Sequence, residues 1–309
     1  MNLRVLYLLT ALCLSGLLPG YSQSQPVPDS LSIFSQPIAL DTFVIRSSFD
    51  VQAFIRRVKA DTTFYKAFRS MHLVPYSSVN DIRIYDSRKQ EVAAQHSRVR
   101  QEIYNNCRTM TFPEVRTTGN YYNRKGEPNY YTTTLFEYLF LTRDTVCNED
   151  DIVAGMMEAK GAGRIENSKY QLKQLIFNPG SKVSGIPFMA DRASIFDPDE
   201  ARKYDFRISG EKYAGSKCYK FRITPKKEYI NKVIYNELTT WFRQSDYALL
   251  ARDYALSYHT LLYDFDVKMQ VRTTEKNGKL FPEHINYNGN WHIFSRKRER
   301  VIFDVLLTY

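Results

Sequence analysis

From Tyr263 onward the chain alternates with a period of two. Tyr263, Phe265, Val267, Met269 and Val271 interleave with Asp264, Asp266, Lys268, Gln270 and Arg272. That rhythm predicts a strand with one dry face and one wet face. Asn277-Gly278 follows, a dipeptide that tolerates the positive φ values of a tight hairpin turn. The chain then returns through Pro282, Ile285 and Tyr287, kinks near Gly289 and passes Trp291 and Ile293. A last strand carries Val301, Phe303, Val305, Leu307 and Tyr309 on one side. The pattern predicts a twisted antiparallel sheet made of consecutive hairpins. A slip of one residue would bury Asp264, Asp266, Lys268 and Arg272, so the odd-numbered positions are expected on the helix side and the even-numbered ones on the other.

Earlier segments fill in the helices. Val51, Phe54, Ile55 and Val58 follow Asp50 at i, i+3, i+4 and i+7, and Asp61 restarts the stripe with Phe64, Ala67, Phe68 and Met71. Two short consecutive helices packed on a sheet are expected. From Val74 the period shifts to strand spacing through Ile82 and Ile84, with a turn at Ser87-Arg88-Lys89. The polar segment Glu91–Thr111 is read as a returning strand, although its charges also permit a helix. Tyr121–Thr134 reads as a hairpin around Lys125-Gly126, and Leu135–Leu141 is compatible with either strand or helix. Residues 148–199 are the least sheet-like. They contain the joint Gly161-Ala162-Gly163, an expected helix from Asn167 to Phe177 and a stop at Asn178-Pro179-Gly180, and suggest a flap over the sheet. Tyr204, Phe206 and Ile208 resume the alternation, answered by Tyr219, Phe221 and Ile223. A strand centred on Trp241 pairs with the one that begins at Tyr247.

The first 22 residues change the address. A basic start at Arg4, an apolar run from Val5 to Leu18 and small residues before a polar segment describe a signal peptide. The expected organisation is a signal at 1–22, an extended lead-in at 23–45 and a single domain over 46–309 with its inserted flap. No later stretch reaches the ~20 apolar residues of a membrane-spanning helix. The 309-residue chain carries a formal charge of +10. An exported basic surface suits either plain solvation or contact with anionic lipid head groups. A nucleic-acid partner conflicts with export and with the lack of any reader motif.

Candidate chemistry is sparse. Of the four cysteines, Cys13 falls in the signal, leaving Cys107, Cys147 and Cys218. Cys218 alternates with Tyr219 and Phe221 and reads as a single residue on a sheet face, so Cys107–Cys147 is the favoured bridge among three possible pairings. The five histidines show no metal-ligand spacing, no nucleophile elbow occurs, and no cofactor or metal is implied. Asp264 and Asp266 are the best paired carboxylates, suited to acid–base work or a cation, or to a solvated face salted by Lys268 and Arg272. Arg296-Lys297-Arg298-Glu299-Arg300 is the densest basic run, fit to meet lipid phosphate or to form a polar loop.

The pieces KCYKFRITPK, ELTTWFRQSDYALLARDY, YDFDVKMQV, FPEHINYNGNWHI (with its Tyr-x-Gly-x-Trp) and RERVIF resemble the half-barrel shared by periplasmic lipoprotein carriers and their outer-membrane acceptors. They also resemble envelope proteins of Bacteroidetes. The resemblance implies an α+β fold: a curved antiparallel sheet, or half-barrel, with helices packed on its concave face. It further implies an exported, non-enzymatic protein at the periplasm or the periplasmic face of the outer membrane. No site residue is taken from the family; in the binding reading of this chain, Phe54, Val58, Phe68, Phe221, Trp241, Phe265, Val267, Met269 and Trp291 would line a hydrophobic groove. The partner would be a lipid, a lipoprotein or an outer-membrane protein. Alternatively, the same core is filled by its own side chains and the protein is a structural or interaction component of the envelope. An enzyme of unknown reaction is the third reading.

Overall fold

The structure, a computed structural model, describes residues 42–43, 51–148, 179–180, 194–260, 263–293 and 297–309. The expected signal, the lead-in up to residue 41, the glycine joint, the Asn167–Phe177 helix and nearly all of the flap lie outside the described residues. Thr42–Phe43 form a short strand, β1. Helices α1 (Val51–Ala60) and α2 (Thr63–Met71) follow. At their junction Asp61 Oδ1 accepts from the Thr63 backbone N–H and from its hydroxyl, at 2.9 and 2.7 Å. This satisfies a donor that the first turn of α2 would otherwise leave open.

Strands β2 (Tyr76–Tyr85), β3 (Glu91–Tyr104) and β4 (Cys107–Gly119) come next. Helix α3 (Tyr131–Phe140), the two-residue β5 (Val146–Cys147) and a single turn, α4 (Pro198–Ala201), lead to the long meander. That meander is β6 (Tyr204–Tyr213), β7 (Ser216–Pro225), β8 (Tyr235–Arg243), β9 (Leu249–His259), β10 (Tyr263–Lys276), β11 (Lys279–Ile293) and β12 (Glu299–Thr308).

All of the strands join one curved sheet of 12, in the order β1-β6-β7-β8-β9-β10-β11-β12-β2-β3-β4-β5, and every pairing is antiparallel. The last strand thus hydrogen-bonds the first long one, Phe303 opposite Ile82. This joins two meanders and places β10–β12 in the middle of the sheet. In β10 the alternation is regular because one face is covered by the helices and the other meets solvent.

Phe265, Val267, Met269 and Val271 are buried on the helix-covered face, whereas Asp266, Lys268 and Gln270 are exposed and Asp264 and Arg272 half-buried. The hairpin turn falls at Asn277-Gly278, with φ of 52° and 71°. On that face α1 lays Phe54 edge-on against Phe221 and Phe242, with ring centroids 5.5 and 5.8 Å apart. Helix α2 crosses β11. Helix α3 sets Phe136 against Phe303 of β12 at 5.1 Å.

Two local expectations are revised, and a third, left open, is decided. Glu91–Thr111 is not one strand but the hairpin β3–β4, because Asn105 and Asn106 adopt φ of 48° and 58° and reverse the chain. In Tyr121–Thr134 the reversal about Lys125-Gly126 is present but closed by a single antiparallel bridge, Tyr122 to Pro128, and from Tyr131 the segment is helix α3 and not a second strand. The ambiguous run from Leu135 continues that helix as far as Phe140, and Leu141 is already extended. The N-terminus of α3 is held by a distant residue. The Glu299 carboxylate on β12 accepts from the Tyr131 and Thr132 backbone N–H groups at 2.8 and 2.9 Å and from the Thr132 hydroxyl at 2.8 Å.

Candidate ligand-binding site

Eight of the nine expected lining residues share one apolar cluster on the helix-covered face. Phe54, Phe68, Phe221, Phe265, Val267, Met269 and Trp291 are buried in it, and Val58 packs against it half-buried. Phe265 stacks on Trp291 at 4.5 Å, and Tyr287 stacks on Phe303 at 4.2 Å with ring planes 5° apart. The Tyr-x-Gly-x-Trp sequence is explained by this stack. Tyr287, Gly289 and Trp291 lie on one face at strand period, and the Trp291 indole N–H donates to the Tyr287 hydroxyl across the glycine. A Cβ on Gly289 would fall 2.5 Å from Cε1 and Cζ of Tyr287, so only glycine leaves room for the ring.

Trp241 is the exception. It lies on the opposite face of β8, in a separate cluster with Tyr213, Cys218 and Ala251. Tyr213 lies 5.3 Å from its ring and its indole N–H donates to Glu211. Two register shifts in β8, at Tyr235/Glu237 and Trp241/Phe242, accompany a stretch from Leu238 to Phe242 that is buried throughout. With both faces covered, the local pattern of apolar residues could not say which way Trp241 points.

The helix-covered face is not purely apolar. Arg252 projects into it from β9, its Nε donating to the Thr240 hydroxyl at 3.0 Å, its guanidinium carbon 4.5 Å from the centre of the Phe64 ring. Asp61, at the α1–α2 junction, stands 4.0 Å from it. Burial pulls the Arg252 pKa below its ordinary value, opposed by the Asp61 charge. A buried charge without its counter-charge costs several kcal/mol, so the pair ties the helix junction to β9.

The paired acids sit on the other face. His259 Nδ1 is 2.6 Å from Asp264 and its Nε2 is 3.6 Å from Asp266, while Arg298 donates to Asp264. Burial pushes the Asp264 pKa up, but bonds to His259 and Arg298 outweigh it and hold the carboxyl below its ordinary value. The contacts tie β9 to β10, and β10 to the residue just before β12, with Arg298 drawn from the basic run. Among the described residues no group of three or more His, Cys, Asp or Glu is placed to hold a metal ion.

A cavity of about 380 Å³ opens elsewhere, between the end of α2 and the β3–β4 hairpin. Cys107 and Cys147 are opposite one another in the β4–β5 register, 3.9 Å apart at Cα, and are joined by a disulfide that borders it. Cys218 is a buried free thiol. His72, Arg108, Asn106 and Asn148 supply polar lining; Leu73, Ile103 and Val146 supply apolar lining. Arg108 Nε donates to the Thr142 hydroxyl at 3.3 Å, and its Nη1 is 3.2 Å from His72 Nδ1. A guanidinium only donates, so Nδ1 accepts in this contact and carries no proton.

None of the expected lining residues borders this cavity, and Cys107 is the single expected site residue that does. Arg252 had a signal in the sequence: it alternates with Tyr254, Leu256 and Tyr258, which places a charge on the dry face. Arg108 and His72 had none, because their meeting depends on how α2 sits over β4.

No family model matches the chain, and no curated protein matches it. Weak structural similarity links it to solved structures. A DUF1329 family protein from Desulfovibrio piger is 12% identical, with 80% of this chain and 94% of that one aligned at a TM-score of 0.23. A domain described as an outer membrane lipoprotein-sorting protein, from Vibrio parahaemolyticus, is 10% identical over 80% and 92% at 0.22. A LolA superfamily protein from Nitrosomonas europaea is 10% identical over 81% and 94% at 0.23. At such values the alignments carry no argument about what this chain binds or does; its own side chains must supply it.

Proposed function

We propose that the chain is an exported cell-envelope protein that acts by binding, holding a lipid acyl chain or a lipid-modified partner on the helix-covered face of its sheet. The observation that supports this reading is the continuous apolar surface from Phe221 on β7 to Phe303 on β12, covered by two short helices that meet at Asp61. Apolar surface of that extent under small, separately anchored covers is what an acyl chain needs, at about 25 cal/mol per Å² removed from water. The basic start, apolar run and small residues of the first 22 positions support export. An acyl chain would take the place of α1 and α2 side chains, so binding includes a shift of these helices between two positions.

A second reading is favoured by a specific observation: Phe54, Phe68 and Met71 of the two helices are at most 2% exposed against the sheet. A face so fully filled suits a structural or interaction component of the envelope. The test is native mass spectrometry of the mature protein purified from a periplasmic fraction, with extraction of bound lipid. An acyl lipid retained at about one per chain is the expected result. A folded, lipid-free protein that also takes up no added phospholipid would overturn the proposal in favour of the self-filled core.

A further inference from the structure

The two helices that cover the sheet turn one sign of charge outward. Residues 51–71 hold Arg56, Arg57, Lys59, Lys66 and Arg69 but a single acid, Asp61, which faces inward to Arg252. Phe54, Phe64, Phe68 and Met71 are buried against the sheet, whereas Arg56, Arg57, Lys59 and Lys66 are exposed on the opposite side. We propose that this outer face docks on an anionic lipid bilayer, its cations meeting the phosphate-bearing head groups. The docking concerns the outside of α1 and α2 and the acyl-chain reading above concerns their inside, so each stands or falls without the other.

Three observations argue for this partner. First, the charge is unanswered. Arg56, Lys59 and Lys66 have no acidic partner among the described residues, and Arg57 lies over the Tyr247 ring, 4.1 Å from its centre, with Nη2 3.5 Å from the Asp246 backbone oxygen. On the strands the contrast is plain: Arg83 pairs with Asp81, Arg98 and Arg116 with Glu114, and Arg222 with Glu237. Second, the composition suits a charged surface better than a packed protein partner. Protein interfaces are enriched in aromatic anchors and depleted in Lys, and no large apolar side chain described in α1 or α2 is exposed. A layer of anionic head groups asks only for charge, and it rewards each nearby cation by about fivefold in partitioning. Third, the densest basic run of the sequence is occupied elsewhere. Arg298 donates to Asp264 and to Asn290, and Glu299 accepts from the start of α3. That leaves the helix pair as the cationic surface open to a bilayer.

Flotation of the mature protein with vesicles of mixed phosphatidylcholine and phosphatidylglycerol, and with vesicles of phosphatidylcholine alone, tests this. Binding to the mixed vesicles should weaken steadily as salt is added, and the neutral vesicles should bind at least about tenfold more weakly. The triple variant Arg56→Gln, Lys59→Gln, Lys66→Gln should lose about hundredfold in partition coefficient, with no change in unfolding midpoint because all three side chains are exposed. A control with the same loss of charge, Lys268→Gln, Lys276→Gln, Lys279→Gln, removes exposed cations of β10 and β11 and should stay within about threefold of wild type. Equal losses in the two triple variants would overturn the proposal, as would equal binding to the two kinds of vesicle. Unchanged vesicle binding in the helix variant, together with lost binding to polyglutamate, would overturn it in favour of an acidic protein partner. Native mass spectrometry for bound lipid reads the acyl-chain proposal separately, so failure of either is told apart from failure of the other.

Discussion

Gly289→Ala should be among the most damaging single-atom additions in the chain. The new Cβ would sit 2.5 Å from Cε1 and Cζ of Tyr287, closer than any van der Waals contact allows. Tyr287 has nowhere to go: it is 2% exposed, stacked on Phe303 at 4.2 Å and bonded to the Trp291 indole. Forcing the ring aside forfeits the stack, about 0.5–1.5 kcal/mol, and leaves a buried N–H without its acceptor, about 1–3 kcal/mol. Replacing a strand glycine returns roughly 0.5–1 kcal/mol of chain entropy. The net expectation is a loss of about 1–3 kcal/mol, the usual range for overpacking. At about 2–4 °C per kcal/mol for a domain of this order, the melting point should fall by several degrees. Urea unfolding followed by far-UV circular dichroism and by tryptophan fluorescence measures it. A companion variant sharpens the test. Tyr287→Leu removes the obstructing ring, so adding Gly289→Ala to it should cost at least about 1 kcal/mol less than adding it to the wild type. A Gly289→Ala protein within about 0.5 kcal/mol of wild type, or strict additivity in the double variant, would refute the reasoning.

Glu299→Ala should cost about 2 kcal/mol in the same urea assay, and Glu299→Gln about half that, because the carboxylate alone accepts from both N–H groups at the start of α3; equal losses for the two variants would show that the cap does not depend on charge. Asp264 links stability to acid. Its folded pKa lies below the ordinary 3.8, so its contribution is complete above that value and is lost as pH falls through the folded value. Urea midpoints measured from neutral pH downwards should therefore drop less steeply in Asp264→Asn than in wild type, and parallel curves would count against the His259–Asp264–Arg298 linkage.

What could be read from the sequence follows from locality. Strand period two and helix period 3.6 are local geometry, so Phe265 to Val271 on the dry face, the α1 and α2 stripes and the Asn277-Gly278 turn were all legible. So was the likeness of the strand order to a half-barrel with helices on one face. The cysteine pairing came by elimination of Cys218, whose alternation is also local. Only the tertiary structure decided the rest, because the physical causes lie far along the chain. The apolar run from Leu135 to Phe140 belongs to a helix whose start, at Tyr131, is capped from Glu299, more than a hundred residues away. Trp241 points away from its expected companions where both faces of β8 are covered and the register shifts beside it. Arg252 is tolerated on the dry face because the α1–α2 junction brings Asp61 to it. The cavity at Arg108 exists because α2, the β3–β4 hairpin and the disulfide-tied β5 come together there, a meeting that no hydrophobic period encodes.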